Sequence, residues 1–164
     1  MASKRNFSHL FFFTIILTQQ YNATGWGMIV WNHVGEVSCA ATKLDRMTTE
    51  PSVAEALGLR WCLQWAQEQN FGSLVIETDS QGVAKCVNGS LHYANFEPII
   101  LDRQEMLANM SNTIVSSIRR NKNLAAHCLV GMARNLGTRT WGRGTVPEPL
   151  QSIICKDAFP LFIQ

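Results

Sequence analysis

The sequence predicts an α/β fold with a mixed sheet. Three observations support this class: the amino-acid composition, the alternation of strand-like and helical segments, and the absence of a repeat or linker between them. Of the 164 residues, 46% are apolar and 16% are charged, which suits one buried core and excludes disordered, collagen-like and coiled-coil chains. Strand-like apolar runs alternate with segments of helical period, and no repeat or linker interrupts them. We therefore expect one domain over residues 11–157, an N-terminal extension at 1–10 and a tail at 158–164.

The first apolar run, residues 10–17, has two interpretations. Its Phe and Ile residues, followed by polar Thr18, are typical of a buried central strand. Lys4 and Arg5 precede the run, so the order of charged and apolar residues also resembles a secretory signal peptide. No small-x-small cleavage site follows, and the run is too short to cross a bilayer as a helix. The pattern alone leaves both interpretations open.

The following segments alternate between strand and helix patterns. Residues 25–33 and 36–42 are strand-like and are separated by Val34 and Gly35, which predicts a hairpin. Residues 52–70 follow a helical period with most of the surface apolar. We further predict a strand over 74–79, helices over 80–87 and 97–109, a strand over 113–118 and a helix over 123–136.

Charge and cysteine content give weaker indications. A net charge of +2 does not by itself indicate a nucleic-acid partner. The stretch from Met106 to Pro147, however, contains no acidic residue and includes Arg119, Arg120 and Lys122, which is typical of phosphate contacts or simply of a solvated surface. The cysteines show neither C-x-x-C nor zinc spacing, so we expect reduced core residues at positions 39, 62, 86, 128 and 155.

Glu55 is the first candidate site residue. It shares a helical stripe with Leu59 and Cys62, so its carboxylate points where apolar groups point. Because burial of an unpaired carboxylate is costly, this position favours a functional site. The segment from Ser52 to Glu55 also matches a capping box, in which the Glu side chain bonds back to the cap backbone. The two interpretations are compatible.

Asp79 is the second candidate, at the end of the strand predicted over 74–79. Side chains at the carboxyl ends of strands line the ligand crevice in α/β folds. An aspartate before a helix is equally typical of an N-cap. Glu77 shares its face and is a weaker candidate.

Taken together, these segments resemble the RNase H-like superfamily, in particular the plant RNase H-type domains related to retrotransposon sequences. The resemblance covers about residues 25–157, and the matching motifs keep the order and spacing that they have in the family. The matching residues are Gly25-Trp26-Gly27, Ile29-Val30, Gly35-Glu36-Val37, Ala54-Glu55-Ala56-Leu57, Leu59-Arg60, Val75-Ile76-Glu77-Thr78-Asp79-Ser80, Ile118, Arg120, Asn123, Ala126-His127, Leu129, Trp141, Pro147 and Asp157. The resemblance implies a mixed five-stranded sheet flanked by helices. Its first central strand precedes Gly25, so the strand interpretation of residues 10–17 is favoured over a signal peptide.

The resemblance also implies an activity and its residues. Members hydrolyse the RNA strand of RNA/DNA hybrids with carboxylates that hold two divalent cations, usually Mg²⁺, with Mn²⁺ as a substitute. The resemblance assigns Glu55 and Asp79 to catalysis and metal binding. His127 falls on a further catalytic position, where it would hold water or move protons, although a packing role is also open. Arg119, Arg120 and Asn123 would contact the nucleic-acid backbone.

One carboxylate of the family pattern is missing. The family places its first Asp, which both ions share, at the end of the first strand, and residues 14–20 contain no Asp or Glu. We therefore expect metal-dependent cleavage to be impaired or absent.

Three functions remain open from the sequence. The first is an RNase H-type endoribonuclease acting on RNA/DNA hybrids, and the second is a non-catalytic domain that binds hybrids or RNA. The third is a secreted protein that retains the fold. We expect a monomer without membrane contact, and we favour the nucleus or cytoplasm over secretion.

Overall fold

The computed structural model of the chain describes residues 10–20, 22–71, 73–88, 108, 113–118, 124–148 and 150–157. Within these residues the chain forms a six-stranded sheet with helices on both faces. The strands are β1 (Leu10–Gln20), β2 (Ala23–Trp31), β3 (Val37–Asp45), β4 (Ser73–Thr78), β5 (Ile114–Ser117) and β6 (Arg139–Gly142). The helices are α1 (Pro51–Glu68), α2 (Gln81–Val87), α3 (Leu124–Leu136) and α4 (Leu150–Asp157). No helix among the described residues is long and apolar enough to cross a membrane.

The strand order β5-β4-β1-β2-β3-β6 places β1 inside the sheet. It pairs with β2 in antiparallel and with β4 in parallel orientation, while β4 and β5 are also parallel. The strand predicted over residues 10–17 is thereby confirmed, and it extends to Gln20. Because β1 and β4 run in the same direction, their carboxyl ends meet at one edge of the sheet. This edge is called the carboxyl edge below.

Two apolar layers enclose the sheet. On one face Leu59 and Leu63 of α1 pack with Met28 and Ile76, and α2 contributes Val83. The other face carries Ile29, Trp31 and Trp141 against α3 and α4. Alternate residues of β2 therefore face opposite layers, as the twofold period of a strand requires. Both faces of the sheet are covered, which explains the nearly continuous apolar run in β2.

The mixed sheet and the flanking helices predicted from the sequence are confirmed. The sheet contains one strand more than expected, because β6 pairs with β3 at its edge. This four-residue strand buries only Trp141, so it carries too little apolar pattern to be recognised. Helix α4 was also not predicted. The helix predicted over residues 97–109 lies outside the described residues apart from position 108.

The cysteine prediction holds where the structure describes the side chains. Cys39, Cys62 and Cys86 are free and buried, and Cys128 is free and half-buried. Burial raises the pKa of the Cys39 thiol to about 12 and raises the pKa of Cys62 well above its ordinary value. A raised pKa disfavours the thiolate, which is the reactive form.

We expect Cys39 and Cys62 to resist alkylation by iodoacetamide at pH 8 in the native protein. With a pKa of about 12, about one Cys39 thiol in 10,000 would be ionised at that pH even if reagent could reach it. Mass spectrometry of tryptic peptides, before and after unfolding in guanidinium chloride, measures the protection. Rapid native labelling of Cys39 would contradict the packing described above.

Candidate functional site

The carboxyl edge brings two of the predicted site residues together. Asp79 directly follows β4, and Glu55 lies in the second turn of α1. Both side chains are half-buried. Ser80, the residue after Asp79, donates a hydrogen bond to Glu55. Glu55 and Asp79 therefore both lie next to Ser80, one through this bond and the other along the chain. The hydrogen bond between Ser80 and Glu55 brings α1 to the end of β4, and the metal-binding role of Glu55 and Asp79 stays a prediction.

Ser80 makes the contact between α1 and the end of β4. Its hydroxyl donates to Glu55 Oε2 over 2.6 Å and accepts from the backbone N–H of Val83 over 3.2 Å. Its own N–H donates to Thr78 Oγ1 over 3.1 Å, and the residue is only 7% exposed. Ser80 was recognised in the sequence only as part of a motif. A serine between a strand and a helix signals an N-cap, but the contact with Glu55 depends on tertiary structure.

Two local interpretations from the sequence are wrong. Helix α1 begins at Pro51 with Glu50 as its N-cap, and no side chain caps it, so Ser52 and Glu55 do not form a capping box. Proline at the first helical position has a suitable φ and no N–H to satisfy, which moves the start ahead of Ser52. The N-cap of α2 is Ser80, so Asp79 is not the cap. Neither Glu55 nor Asp79 is therefore an N-cap residue.

The start of α1 is also tied to the sheet. The indole N–H of Trp26 donates to the carbonyl oxygen of Ala54 over 2.9 Å, with both residues buried. Thr24 Oγ1 donates to the Met47 carbonyl over 2.8 Å, and Gln19 Nε2 donates to the Thr49 carbonyl over 2.9 Å. These bonds anchor the connection between β3 and α1, and they hold the backbone next to Glu55.

Helix α3 crosses the opposite face of the sheet very close to β2. A Cβ atom added to Gly27 would lie 3.0 Å from both the Ala126 carbonyl oxygen and the Val130 nitrogen. His127 follows Ala126 in this helix and is half-buried. Among the described residues, no three His, Cys, Asp or Glu side chains form a group that could hold a metal ion, so His127 does not complete such a group with Glu55 and Asp79.

The predicted nucleic-acid contacts Arg119, Arg120 and Asn123 lie outside the described residues. Their roles stay predictions. Arg143, from the same acid-free stretch, is described. Its Nη2 forms an ion pair with Glu36 Oε2 at 2.6 Å, beside the turn between β2 and β3. This turn lies at the edge opposite the carboxyl edge, because β3 starts there and runs parallel to β1.

Strand β1 supplies the remaining backbone of the carboxyl edge. Its register with β4 pairs Thr14 with Glu77 and Ile15 with Thr78, so continuation by one residue places Ile16 level with Asp79. On its other side Ile16 pairs with Gly27. The strand sequence LFFFTIILTQQ contains no acidic residue. The carboxylate that the family pattern requires on this strand is therefore absent from its whole length.

A mixed sheet in this strand order, with acidic residues at the ends of β4 and in α1, defines an RNase H-like α/β domain. The chain belongs to the reverse transcriptase-like family, whose model matches residues 15–133. Among curated proteins, no significant match was found.

Solved structures agree on the fold. RNase H1 of Halobacterium salinarum is 18% identical, with a TM-score of 0.68 and coverage of 78% of this chain and 99% of that one. The N-terminal RNase H domain of rv2228c from Mycobacterium tuberculosis is 19% identical, with a TM-score of 0.68 and coverage of 79% and 96%. LC11-RNase H1, isolated from compost and solved with an RNA/DNA hybrid, is 18% identical, with a TM-score of 0.66 and coverage of 77% and 99%.

RNase H-like folds generally use divalent metal ions, and the residues that the structure describes do not fit that requirement. Mg²⁺ requires hard oxygen ligands in near-octahedral geometry. The carboxyl edge offers Glu55, whose Oε2 accepts from Ser80, and Asp79, while β1 contributes no carboxylate. Two adjacent cations would leave too much positive charge unbalanced at this edge. Within the described part of the chain, Glu77 does not complete a metal-holding group with Glu55 and Asp79 either, so the donor set there is incomplete.

Proposed function

We propose that this chain binds RNA/DNA hybrids as an RNase H-like domain and that its hydrolytic activity is strongly impaired. The observation that carries the second part is the absence of any acidic residue from β1, which pairs with β4 up to Thr78, the residue before Asp79. The first part is supported by the family and by the fold it shares with an RNase H1 solved with a hybrid. Substrate binding depends mainly on phosphate contacts, which do not require the missing carboxylate.

An active endoribonuclease is the second candidate function. The presence of Glu55 and Asp79 at one edge favours it, because the resemblance assigns both to metal binding. In this alternative Mg²⁺ or Mn²⁺ would supply activation of water, and His127 would take part in proton transfer. The two functions differ in one measurable property, which is cleavage of the RNA strand.

A cleavage and binding assay separates the two functions. The purified chain is incubated with an end-labelled RNA/DNA hybrid and Mg²⁺ or Mn²⁺, beside the Glu55→Ala/Asp79→Ala double variant and single-stranded RNA. We expect hybrid binding without cleavage above that of the double variant. Cleavage that the double variant loses would establish the nuclease and refute the impairment. Absence of hybrid binding would refute the proposal as a whole.

Hybrid affinity should fall steeply with salt, because released counterions drive phosphate binding. For three contacted phosphates, we expect a loss of roughly 40-fold between 50 and 200 mM salt. Arg119→Ala combined with Arg120→Ala should flatten the slope of log affinity against log salt by up to about 0.9 per lost contact. Fluorescence anisotropy with a labelled hybrid measures both quantities.

Arg143→Ala is the matched control for these arginine variants. Arg143 pairs with Glu36 at the edge opposite the carboxyl edge, so its removal should leave the salt slope unchanged. Equal slopes for the control and the double arginine variant would place the nucleic-acid contacts elsewhere.

A further inference from the structure

Glu55 and Ser80 form a side-chain hydrogen bond between α1 and the N-cap of α2. The separation of 2.6 Å between Ser80 Oγ and Glu55 Oε2 is in the range of a hydroxyl donating to a carboxylate. The Ser80 hydroxyl has one proton to donate and lone pairs to accept. It can therefore bind Glu55 and still accept the Val83 N–H that begins α2.

We propose that Glu55 is a structural carboxylate in this chain, and that its bond with Ser80 fastens α1 to the start of α2. The resemblance assigns Glu55 to metal binding, but the incomplete donor set of the carboxyl edge removes the reason for that role. The inference concerns stability and is independent of hybrid binding.

Both partners are held in place before the bond forms. Trp26 fixes the carbonyl of Ala54, next to Glu55, and the Ser80 N–H is bound to Thr78. Ser80 is 7% exposed, so its bond is largely shielded from competing water. Ordering of the two side chains therefore costs little conformational entropy.

The sign of the stability change distinguishes a structural carboxylate from a metal ligand. In a cluster of acidic metal ligands without metal, like charges repel, so removal of one carboxylate stabilises the protein. A structural Glu55 gives the opposite sign, because its removal leaves the buried Ser80 hydroxyl without this acceptor.

Thermal unfolding of Glu55→Ala, Glu55→Gln, Ser80→Ala and Glu55→Ala/Ser80→Ala tests the inference. We expect each alanine variant to melt about 3–6 °C below the natural chain, and the double variant to melt no lower than the less stable single one. Glu55→Gln keeps an acceptor oxygen and should lose less. If Glu55→Ala fails to fold while Glu55→Gln folds, the loss of the acceptor oxygen destabilises the protein even more than expected, which also supports the inference.

Glu68→Ala provides the matched control, because Glu68 is an exposed acidic residue at the end of the same helix. Its removal should change the melting temperature by less than about 2 °C. A raised or unchanged melting temperature for Glu55→Ala, or fully additive effects in the double variant, would overturn the inference.

Manganese adds an independent measurement. We expect millimolar Mn²⁺ to shift the melting temperatures of the natural chain and of Glu55→Ala equally. An Mn²⁺-dependent rise that only the natural chain shows would identify Glu55 as a metal ligand, and it would refute the structural role.

Discussion

Substitution of Ile16 by aspartate should give this chain metal-dependent cleavage of RNA/DNA hybrids. The register pairs Ile15 with Thr78 of β4, one residue before Asp79, and it pairs Ile16 with Gly27 of β2, which has no side chain. An aspartate there adds a third carboxylate to the carboxyl edge. We expect a gain of roughly 100-fold in cleavage rate over the natural chain, equivalent to about 2.7 kcal/mol of activation free energy.

Ile16→Asn is the matched control, since it introduces a side chain of the same size without the charge. Both variants disturb an apolar strand, so circular dichroism should first confirm that both fold. We expect Mn²⁺ to raise the melting temperature of Ile16→Asp and to leave Ile16→Asn unchanged. Equal metal responses and equal cleavage by the two folded variants would show that position 16 is not where the family carboxylate belongs.

If both variants fail to fold, Ile16→Cys introduces a small apolar side chain whose thiolate is a soft metal ligand. Cadmium binding by the new thiolate, read from ultraviolet absorbance above that of the natural chain, then tests the same position. No additional absorbance would contradict a role for position 16 in metal binding.

Substitution of Gly27 by alanine should destabilise the protein by about 2 kcal/mol. The added Cβ would lie 3.0 Å from backbone atoms of Ala126 and Val130, and neither can move away as a flexible side chain would. Helix α3 would have to lift from the sheet or shift along it, which costs typically 1–3 kcal/mol. Urea unfolding monitored by tryptophan fluorescence measures the change.

Gly131→Ala tests whether the effect of Gly27→Ala depends on the contact. Gly131 lies inside the same helix α3, is exposed, and has nothing within 4 Å of an added Cβ. Alanine has the higher helix propensity, so we expect a stabilisation of up to about 1 kcal/mol. Opposite signs for the two glycine variants support the close approach of α3 to β2, and a neutral Gly27→Ala would contradict it.

Most of the sheet could be predicted from the sequence, because its strands are apolar enough to show their pattern. The hairpin of β2 and β3, the strand β4 and the helix α1 have long buried stripes, so local period sufficed. The edge strand β6 was missed because only Trp141 is buried among its four residues. A pattern of burial cannot indicate an element that is mostly exposed.

The sequence by itself determined the α/β class and the lack of any acid in β1, and it marked Glu55 and Asp79 as separate candidates. These follow from residue type and periodicity, which act locally. Only the tertiary structure decided that Ser80 binds Glu55, that Ser52 and Glu55 form no capping box, and that β1 pairs Ile15 with Thr78 and Ile16 with Gly27. The physical reason is that strand register and helix contacts depend on residues far apart in the chain, whose pairing no local pattern records.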